Sequence, residues 1–363
     1  MDFLYCTPSV FVIDDDYEIL INLKENGICY IEIENDTFYE DGSGVLSSES
    51  TLIKIRIPQQ KLDRAKKYRV VYRRPIERKA YFSTLEEPVC CEFDFKPIEK
   101  TDNINIYLIA DVHYRFNIAK TTASYFGDDI DLFVVNGDIG EVETVENYLE
   151  VCRFVGEISF GKIPVIFARG NHDTRGHLAE IFTDYFPSNN KKTYYSFSVG
   201  PFSGVVLDCG EDKHDDHIEY GGVNAFESYR RKETEFLRSL PISDGKLPFA
   251  VSHICPAQST TKASDTFDIE RDVYTEWNKE LSRLGIKFML CGHIHRAYVL
   301  ESNDKNSLLP HDYFTVVGSA CPKDDLIGSA ITISSNIMTV RFTDSKKQVL
   351  ETYTIDIERG KII

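Results

Sequence analysis

The sequence predicts an α/β protein in two parts, with a small all-β sandwich in residues 1–99 and a mixed α/β domain in residues 100–363. Two patterns predict this division. Apolar and polar residues alternate through the first hundred positions, which is the period of half-buried strands. Beyond them, apolar runs alternate with polar stretches of helical spacing, as in βαβ units. A chain of 363 residues is also long enough to bury two cores.

The first part is predicted to contain strands throughout and no helix. Alternation is clearest in residues 19–23, 53–57 and 68–72, and Asn26 with Gly27 marks a turn between two strands. Short alternating strands joined by tight turns are typical of a small antiparallel sandwich. This part contains no histidine, so we expect no metal chemistry in it.

The second part is predicted to hold a parallel sheet that helices cover on both faces. Apolar runs at 104–110, 131–136 and 163–168 are typical of strands buried on both sides. The remaining predicted elements are strands at 194–199, 205–208, 249–252 and 287–291, and helices near 226–240 and 271–284. After His295 the chain is predicted to be β to its end.

Cysteine usage and hydropathy predict a cytoplasmic protein without a membrane span. The nine cysteines are scattered and form no C-x-x-C pair, which favours reduced thiols. No apolar run reaches the roughly 18 residues that a spanning helix needs. The first apolar stretch lacks a basic start and ends in acidic residues, unlike a signal peptide.

Polar clusters follow directly after the predicted strands of the second part. Ligands of open α/β sheets gather outside the carboxyl ends of strands. Alone, each cluster has an ordinary alternative, such as a surface histidine, a Gly-Asp turn or a helix N-cap. Their succession at one strand end after another predicts a shared site. The clusters are Asp111-Val112-His113, Gly137-Asp138, Gly170-Asn171-His172-Asp173, His253 and Gly292-His293-Ile294-His295.

This order of motifs resembles the calcineurin-like metallophosphoesterase superfamily over residues 104 to about 317. The resemblance implies a four-layer αββα sandwich and the hydrolysis of phosphate esters. The preceding β-sandwich, which is fibronectin III-like, resembles the layout of purple acid phosphatases. Those enzymes carry a tyrosine three residues after the bridging aspartate, where this chain has Glu141. Protein serine/threonine phosphatases have GDxVDRG and GNHE motifs, so a dedicated protein phosphatase is disfavoured.

The resemblance also implies a centre of two divalent metal ions. One ion would be held by Asp111, His113 and His295, the other by Asn171, His253 and His293, with Asp138 bridging them. Imidazole and carboxylate ligands suit Mn, Fe or Zn and not calcium, which prefers oxygen alone. Two such ions can share a hydroxide and clamp both oxygens of an in-line displacement.

Four further residues are candidates for catalysis or substrate binding. The resemblance places His172 beside the leaving oxygen, as a general acid or an electrostatic clamp on the phosphate, oriented by Asp173. Helix capping is the alternative role for Asp173. Arg175 and His177 are candidate phosphate contacts, with a surface position as the alternative.

The negative charge of the chain restricts its partners. The formal net charge is -17, of which residues 1–100 carry -5 and the remainder -12. Such a surface repels nucleic acid, so a small phosphorylated substrate is the expected partner. A nucleotide phosphodiesterase or nuclease, and a non-catalytic metal-binding scaffold, are the alternatives. The polar stretch 208–222 is predicted to be a rim loop over the site.

Overall fold

The computed structural model describes residues 2–40, 42–140, 142–242, 245–257, 269–305 and 307–363. Within these ranges two sheets pack face to face, and helices cover their outer faces, so the predicted four-layer αββα arrangement is confirmed. Glu141, one position of the expected motif, lies outside the described residues, as do residues 258–268.

The elements are numbered here in chain order. The larger sheet contains β1 (Ser9–Ile13), β2 (Asp16–Asn22), β5 (Leu52–Pro58), β10 (Ile104–Ile109), β11 (Leu132–Asn136), β12 (Pro164–Ala168), β19 (Gly328–Ser334), β20 (Ile337–Thr343), β21 (Val349–Asp356) and β22 (Lys361–Ile362). The second sheet contains β13 (Tyr195–Val199), β14 (Phe202–Leu207), β15 (Leu247–Ser252), β16 (Phe288–Cys291), β17 (Tyr298–Leu300) and β18 (Phe314–Val317). Smaller sheets contain β3 (Ile28–Ile33), β4 (Asp36–Tyr39), β6 (Lys67–Arg73) and β9 (Val89–Asp94), and the hairpin β7 (Pro75–Glu77) with β8 (Thr84–Leu85). The α-helices are α1 (Gln59–Ala65), α2 (Phe116–Ala123), α3 (Val145–Ser159), α4 (Phe182–Tyr185), α5 (Phe226–Ser239) and α6 (Arg271–Arg283).

The strands at the centre of the larger sheet are apolar on both faces because they separate two cores. In β11, Leu132 and Val134 face the second sheet, whereas Phe133 and Val135 face the layer of α2 and α3. The strands β10, β11 and β12 are parallel, as are β14, β15, β16 and β18 in the second sheet. Parallel strands place their carboxyl ends at one edge, and two such edges meet here.

The N-terminal strands form the two sheets of a sandwich, as predicted. The sheet β4-β3-β6-β9 lies opposite β1-β2-β5. The latter three strands continue the larger sheet, because β1 pairs in parallel with β12. The hydrogen-bonded sheet therefore crosses from one part of the chain to the other. The domain boundary after residue 99 stays a prediction.

One helix lies in the part that was predicted to be all β. Helix α1 spans seven residues, Gln59–Ala65, and Leu62 is its buried residue. Lys66 ends it in the left-handed conformation, with a φ of 54°. A helix of two turns with one buried side chain is too short to show a helical period in sequence.

No helix in the described part of the chain is long and apolar enough to span a membrane.

Candidate metal centre

The expected ligands lie on loops at the carboxyl ends of parallel strands in both sheets. Asp111, Asp138 and Asn171 follow β10, β11 and β12 of the larger sheet. His253 follows β15 of the second sheet, and His293 follows β16. The site therefore forms where the two sheet edges meet, and neither sheet alone supplies the whole ligand set.

The backbone at the ligand positions is held in an unfavourable conformation. Asp111, His113, Asp138, His293 and His295 have positive φ values between 46° and 69°. L-residues in this region cost on the order of 1 kcal/mol or more each, and such residues cluster at functional sites. The surrounding fold fixes these side chains in directions that a relaxed loop would not give them.

Two glycines permit the close approach of the loops after β11 and β12. A Cβ atom added to Gly137 would lie 2.5 Å from the backbone nitrogen of Gly170. A Cβ atom added to Gly170 would collide with the backbone nitrogen and carboxylate of Asp138. Glycine at both positions is thus required for Asp138 to reach the centre of the site.

Two groups of potential metal ligands share Asp138. The first contains Asp111, His113, Asp138 and His295, and the second contains Asp138, His253 and His293. Within each group all ligand atoms lie within 4.8 Å of one another. Asn171 joins the second group, because its Oδ1 is 3.0 Å from Nδ1 of His293. The structure therefore brings together all seven expected ligands, divided as the resemblance implies.

His253 shows that the residues fit a metal ion. Its Nδ1 donates a hydrogen bond of 2.7 Å to the carbonyl oxygen of Asn136, which leaves Nε2 as the ring nitrogen that faces the site. Among the described residues this buried Nε2 has no hydrogen-bond partner, and it faces Oδ2 of Asp138 at 3.1 Å. A cation held between these two atoms would satisfy both, and the nitrogen and oxygen donors suit Mn, Fe or Zn.

The electrostatics of the site favour bound cations. Burial acts to raise the pKa of Asp138, but the neighbouring histidines, with His253 the foremost, together hold that pKa below its usual range. Burial acts to lower the pKa of His253, yet Asp138 raises it to about 9. The hydrogen bond to Asp111 raises the pKa of His295 to about 10. Raised pKa values of these two histidines beside a lowered pKa of the carboxylate are typical of a site that attracts positive charge, and a metal ion would compete with protons for these groups.

The carboxylate of Asp173 supports a loop. Its described contacts do not include the ring of His172. Its two oxygens accept hydrogen bonds from the backbone nitrogens of Asp138, Ile139, Gly140 and Gly170 at 2.8–3.3 Å. The expected carboxylate–imidazole pair is therefore replaced by a different arrangement. Asp173 holds the loop that carries Asp138 against the loop that carries Asn171.

His172 lies at the opening of the site, outside both ligand groups. Its Nε2 is 4.0 Å from Oδ2 of Asp138, and its side chain is 28% exposed. Its backbone nitrogen donates to Oδ1 of Asp138 at 2.8 Å, which fixes the start of its side chain. This position lets the ring reach a molecule that is bound in front of the ligands.

A cleft of about 540 Å³ opens in front of the ligands. It is lined by Asp138, Asn171, His172, Arg175, Asp212, Lys213, Glu219, His293, Ile294, His295 and Arg296. The predicted rim loop 208–222 thus supplies one wall. Arg175 reaches the cleft as expected, but His177 is exposed and is not among the lining residues, because Gly176 turns the chain with a φ of 103°.

Sequence reasoning missed several residues that contact the site. Ser319 Oγ donates to Oδ2 of Asp111, and Cys321 lies within 4.8 Å of ring nitrogens of His113 and His295. Glu211 binds Arg175 through both carboxylate oxygens. These residues lie outside the motifs, and no spacing rule connects them to their partners. Asn136 alone had a signal, since it directly precedes Gly137.

The calcineurin-like phosphoesterase family model matches residues 104–297 of the chain. The chain belongs to this family. This phosphoesterase is therefore a hydrolase of phosphoric esters, and the family implies divalent metal ions at the centre described above. Over 200 residues it is 24% identical to a probable cyclic nucleotide phosphodiesterase of Fibrobacter succinogenes (strain ATCC 19169 / S85). That match covers 54% of this chain and 70% of the relative.

Two solved structures resemble the phosphoesterase along nearly its whole length. A purple acid phosphatase from yellow lupin (Lupinus luteus) seeds has a TM-score of 0.61 at 11% identity, covering 97% of this chain and 74% of the other. The structure of PhoD has a TM-score of 0.59 at 8% identity, covering 98% and 90%. At such identities the likeness shows the fold, including the N-terminal sandwich.

Proposed function

We propose that this phosphoesterase uses a centre of two divalent metal ions to hydrolyse phosphate monoesters or diesters of small molecules. The observation that carries the proposal is the pair of ligand groups that share Asp138. A bridging carboxylate allows two cations to lie close together despite their like charge. When bound, such a pair supplies an activated water and electrostatic stabilisation of the phosphate oxygens in an in-line displacement.

His172 is the candidate general acid of this reaction. Its Nε2 faces the cleft 4.0 Å from Oδ2 of Asp138 and belongs to neither ligand group, so the ring lies within reach of an ester bound in the cleft. Protonation of the leaving oxygen by this ring would complete the cleavage. Arg175 reaches the same cleft and is the candidate contact for a phosphate oxygen.

The same residues support a second candidate, a nucleotide phosphodiesterase. The F. succinogenes relative is named as a probable cyclic nucleotide phosphodiesterase, and both activities would use the same metal ligands. A nuclease fits less well, because a net charge of -17 opposes binding of a long polyanion. The complete ligand set argues against a non-catalytic scaffold.

A reducing compartment such as the cytoplasm is the proposed location. The nine cysteines all lie in the described ranges and form no disulfide there, and five of them are buried. Extracellular proteins commonly pair such thiols, whereas cytoplasmic proteins keep them reduced. Labelling thiols in the native protein before and after reduction tests this: equal counts support it, and a count that rises after reduction opposes it.

The experiment that tests the function is a paired hydrolysis assay. The protein is stripped with a chelator, reloaded with Mn, Fe, Zn or Mg, and assayed with p-nitrophenyl phosphate and with bis-p-nitrophenyl phosphate. Metal-dependent turnover that Asp138→Asn abolishes is expected, and the preferred ester separates phosphatase from phosphodiesterase. Turnover that is equal in the chelated and reloaded protein would overturn the proposal.

A further inference from the structure

Arg175 is held at the edge of the cleft by a buried carboxylate of the rim loop 208–222. Its Nε and Nη2 atoms donate to Oε1 and Oε2 of Glu211, both at 2.7 Å. Two parallel bonds of this kind fix the plane of a guanidinium as well as its position. Glu211 lies 36 residues away in the rim loop, so it is a separate segment that sets the geometry of Arg175.

Glu211 is built into the fold as a fixed anchor. Its side chain is fully buried, and its carboxylate also accepts hydrogen bonds from Thr174 Oγ1 and Tyr220 Oη, each at 3.1 Å. The buried Arg230 donates to the backbone carbonyls of Cys209 and Glu211 at 2.8 and 2.6 Å. The anchor therefore cannot follow Arg175 if that side chain moves.

The third nitrogen of the Arg175 guanidinium, Nη1, lies next to the candidate acid His172. Nη1 of Arg175 is 3.5 Å from Nε2 of His172, and the side chain is 29% exposed. The hydrogen bond with Glu211 also raises the pKa of Arg175, which keeps its charge permanent. A guanidinium fixed beside the candidate acid can bind a phosphate oxygen that the metal ions do not hold.

We propose that Glu211 is a positioning residue, which locks Arg175 so that Nη1 binds a phosphate oxygen of the substrate next to His172. This rests on the proposed function. A guanidinium that is already ordered loses little conformational entropy when it binds the anion. Without Glu211, Arg175 would keep its charge and lose its fixed direction.

Binding of inorganic phosphate to the metal-loaded protein tests this without requiring turnover. Calorimetry is performed on the wild type, Glu211→Gln, Arg175→Ala and the double variant. In the wild-type background we expect Glu211→Gln to weaken phosphate binding on the order of tenfold. In the Arg175→Ala background we expect the same substitution to weaken it by less than about twofold, because residues in direct contact have non-additive effects. Equal losses in both backgrounds, or wild-type protein that binds no phosphate, would overturn the proposal.

Two further variants separate positioning from stability. Glu227→Gln changes an exposed carboxylate that pairs with His214, and it should leave phosphate affinity unchanged. Arg175→Lys keeps the charge, leaves Glu211 intact and removes the fork, so it should weaken phosphate binding as Glu211→Gln does. Wild-type affinity in Arg175→Lys would contradict the proposal even if Glu211→Gln failed to fold. Turnover of p-nitrophenyl phosphate by the same wild-type sample reports separately on the proposed function.

Discussion

At the scale of single residues, His172 is distinguished from its neighbours by position and not by type. Asn171 contacts His293 within a ligand group, whereas the side chain of His172 turns toward the cleft. The two residues are adjacent in sequence, yet the turn of 3-10 helix at His172–Thr174 gives their side chains different surroundings. Their roles can therefore be separated by substitution.

We expect His172→Ala to lower kcat by about 10²- to 10⁴-fold, the usual contribution of a general acid, while metal content stays unchanged. Turnover and metal analysis on the same sample check this. His177→Ala, at an exposed position outside the cleft, is the matched control. An unaltered kcat would remove the acid assignment, and loss of metal would make His172 a ligand.

The expected metal ligands could be selected from the sequence because each of them lies within a few residues of the end of an apolar strand. The contacts of Asp173 and Glu211 could not. Asp173 binds backbone nitrogens up to 35 residues away, and Glu211 binds a side chain 36 residues away. Such contacts depend on how loops meet in space, and one sequence contains no period that reports it.

At the scale of secondary-structure elements, predicted helices and strands match the structure where they are long or strongly apolar. The helices predicted near 226–240 and 271–284 are Phe226–Ser239 and Arg271–Arg283. The seven-residue helix α1 was missed because it is too short to be periodic. The pairing of β1 with β12 was also missed, since it joins segments about 150 residues apart.

Helix α5 carries a buried acid that predicts a pH effect on stability. Glu233 is fully buried, and burial, followed by the charge of Asp208, raises its pKa well above the ordinary value of 4.5. The folded state therefore keeps a proton that the unfolded chain releases. Stability is lost as the pH rises from about 4.5 toward the raised pKa.

Glu233→Gln mimics the protonated acid, so we expect its unfolding midpoint to fall less than that of the wild type between pH 5 and pH 8. At pH 8 the unfolding midpoint of the variant should exceed that of the wild type by about 2 °C for each kcal/mol by which its free energy of unfolding is higher. Thermal unfolding monitored by circular dichroism across this range measures it. Glu235→Gln, an exposed neighbour on α5, should follow the wild type. A lower midpoint for Glu233→Gln at pH 8 would contradict the assignment.

The contacts of the N-terminal strands with residues 100–363 predict that this second part of the chain is not stable alone. Deleting residues 1–98 removes β1 from the edge of β12, and it also removes Tyr68, whose hydroxyl donates to the carbonyl of Gly161 at 2.9 Å. A long apolar strand edge exposed in this way promotes aggregation. We expect poor soluble yield and large species in size-exclusion chromatography. A monomeric, fully active fragment would show that the sandwich is dispensable.

At the scale of the whole molecule, metal binding should link the two sheets. The larger sheet supplies Asp111, Asp138 and Asn171, and the second sheet supplies His253 and His293. A ligand that binds the folded state alone stabilises it by about 2.7 kcal/mol at a concentration one hundred times its Kd. Chelation should therefore lower the unfolding midpoint, and added Mn, Fe or Zn should restore it.

Differential scanning calorimetry measures this effect, with Asp138→Asn as the control that should respond weakly to metal. An unfolding midpoint that is the same with chelator and with metal would oppose a centre shared by both sheets.

The central claim is that Asp138 bridges two metal ions, and anomalous diffraction tests it most directly. Crystals of the reloaded protein would be measured on both sides of the absorption edge of the added metal. The account predicts two anomalous peaks about 3.5–4 Å apart, with the Asp138 carboxylate between them. One ligand set should be Asp111, His113 and His295, and the other Asn171, His253 and His293. A single peak, or two peaks without a contact to Asp138, would contradict it.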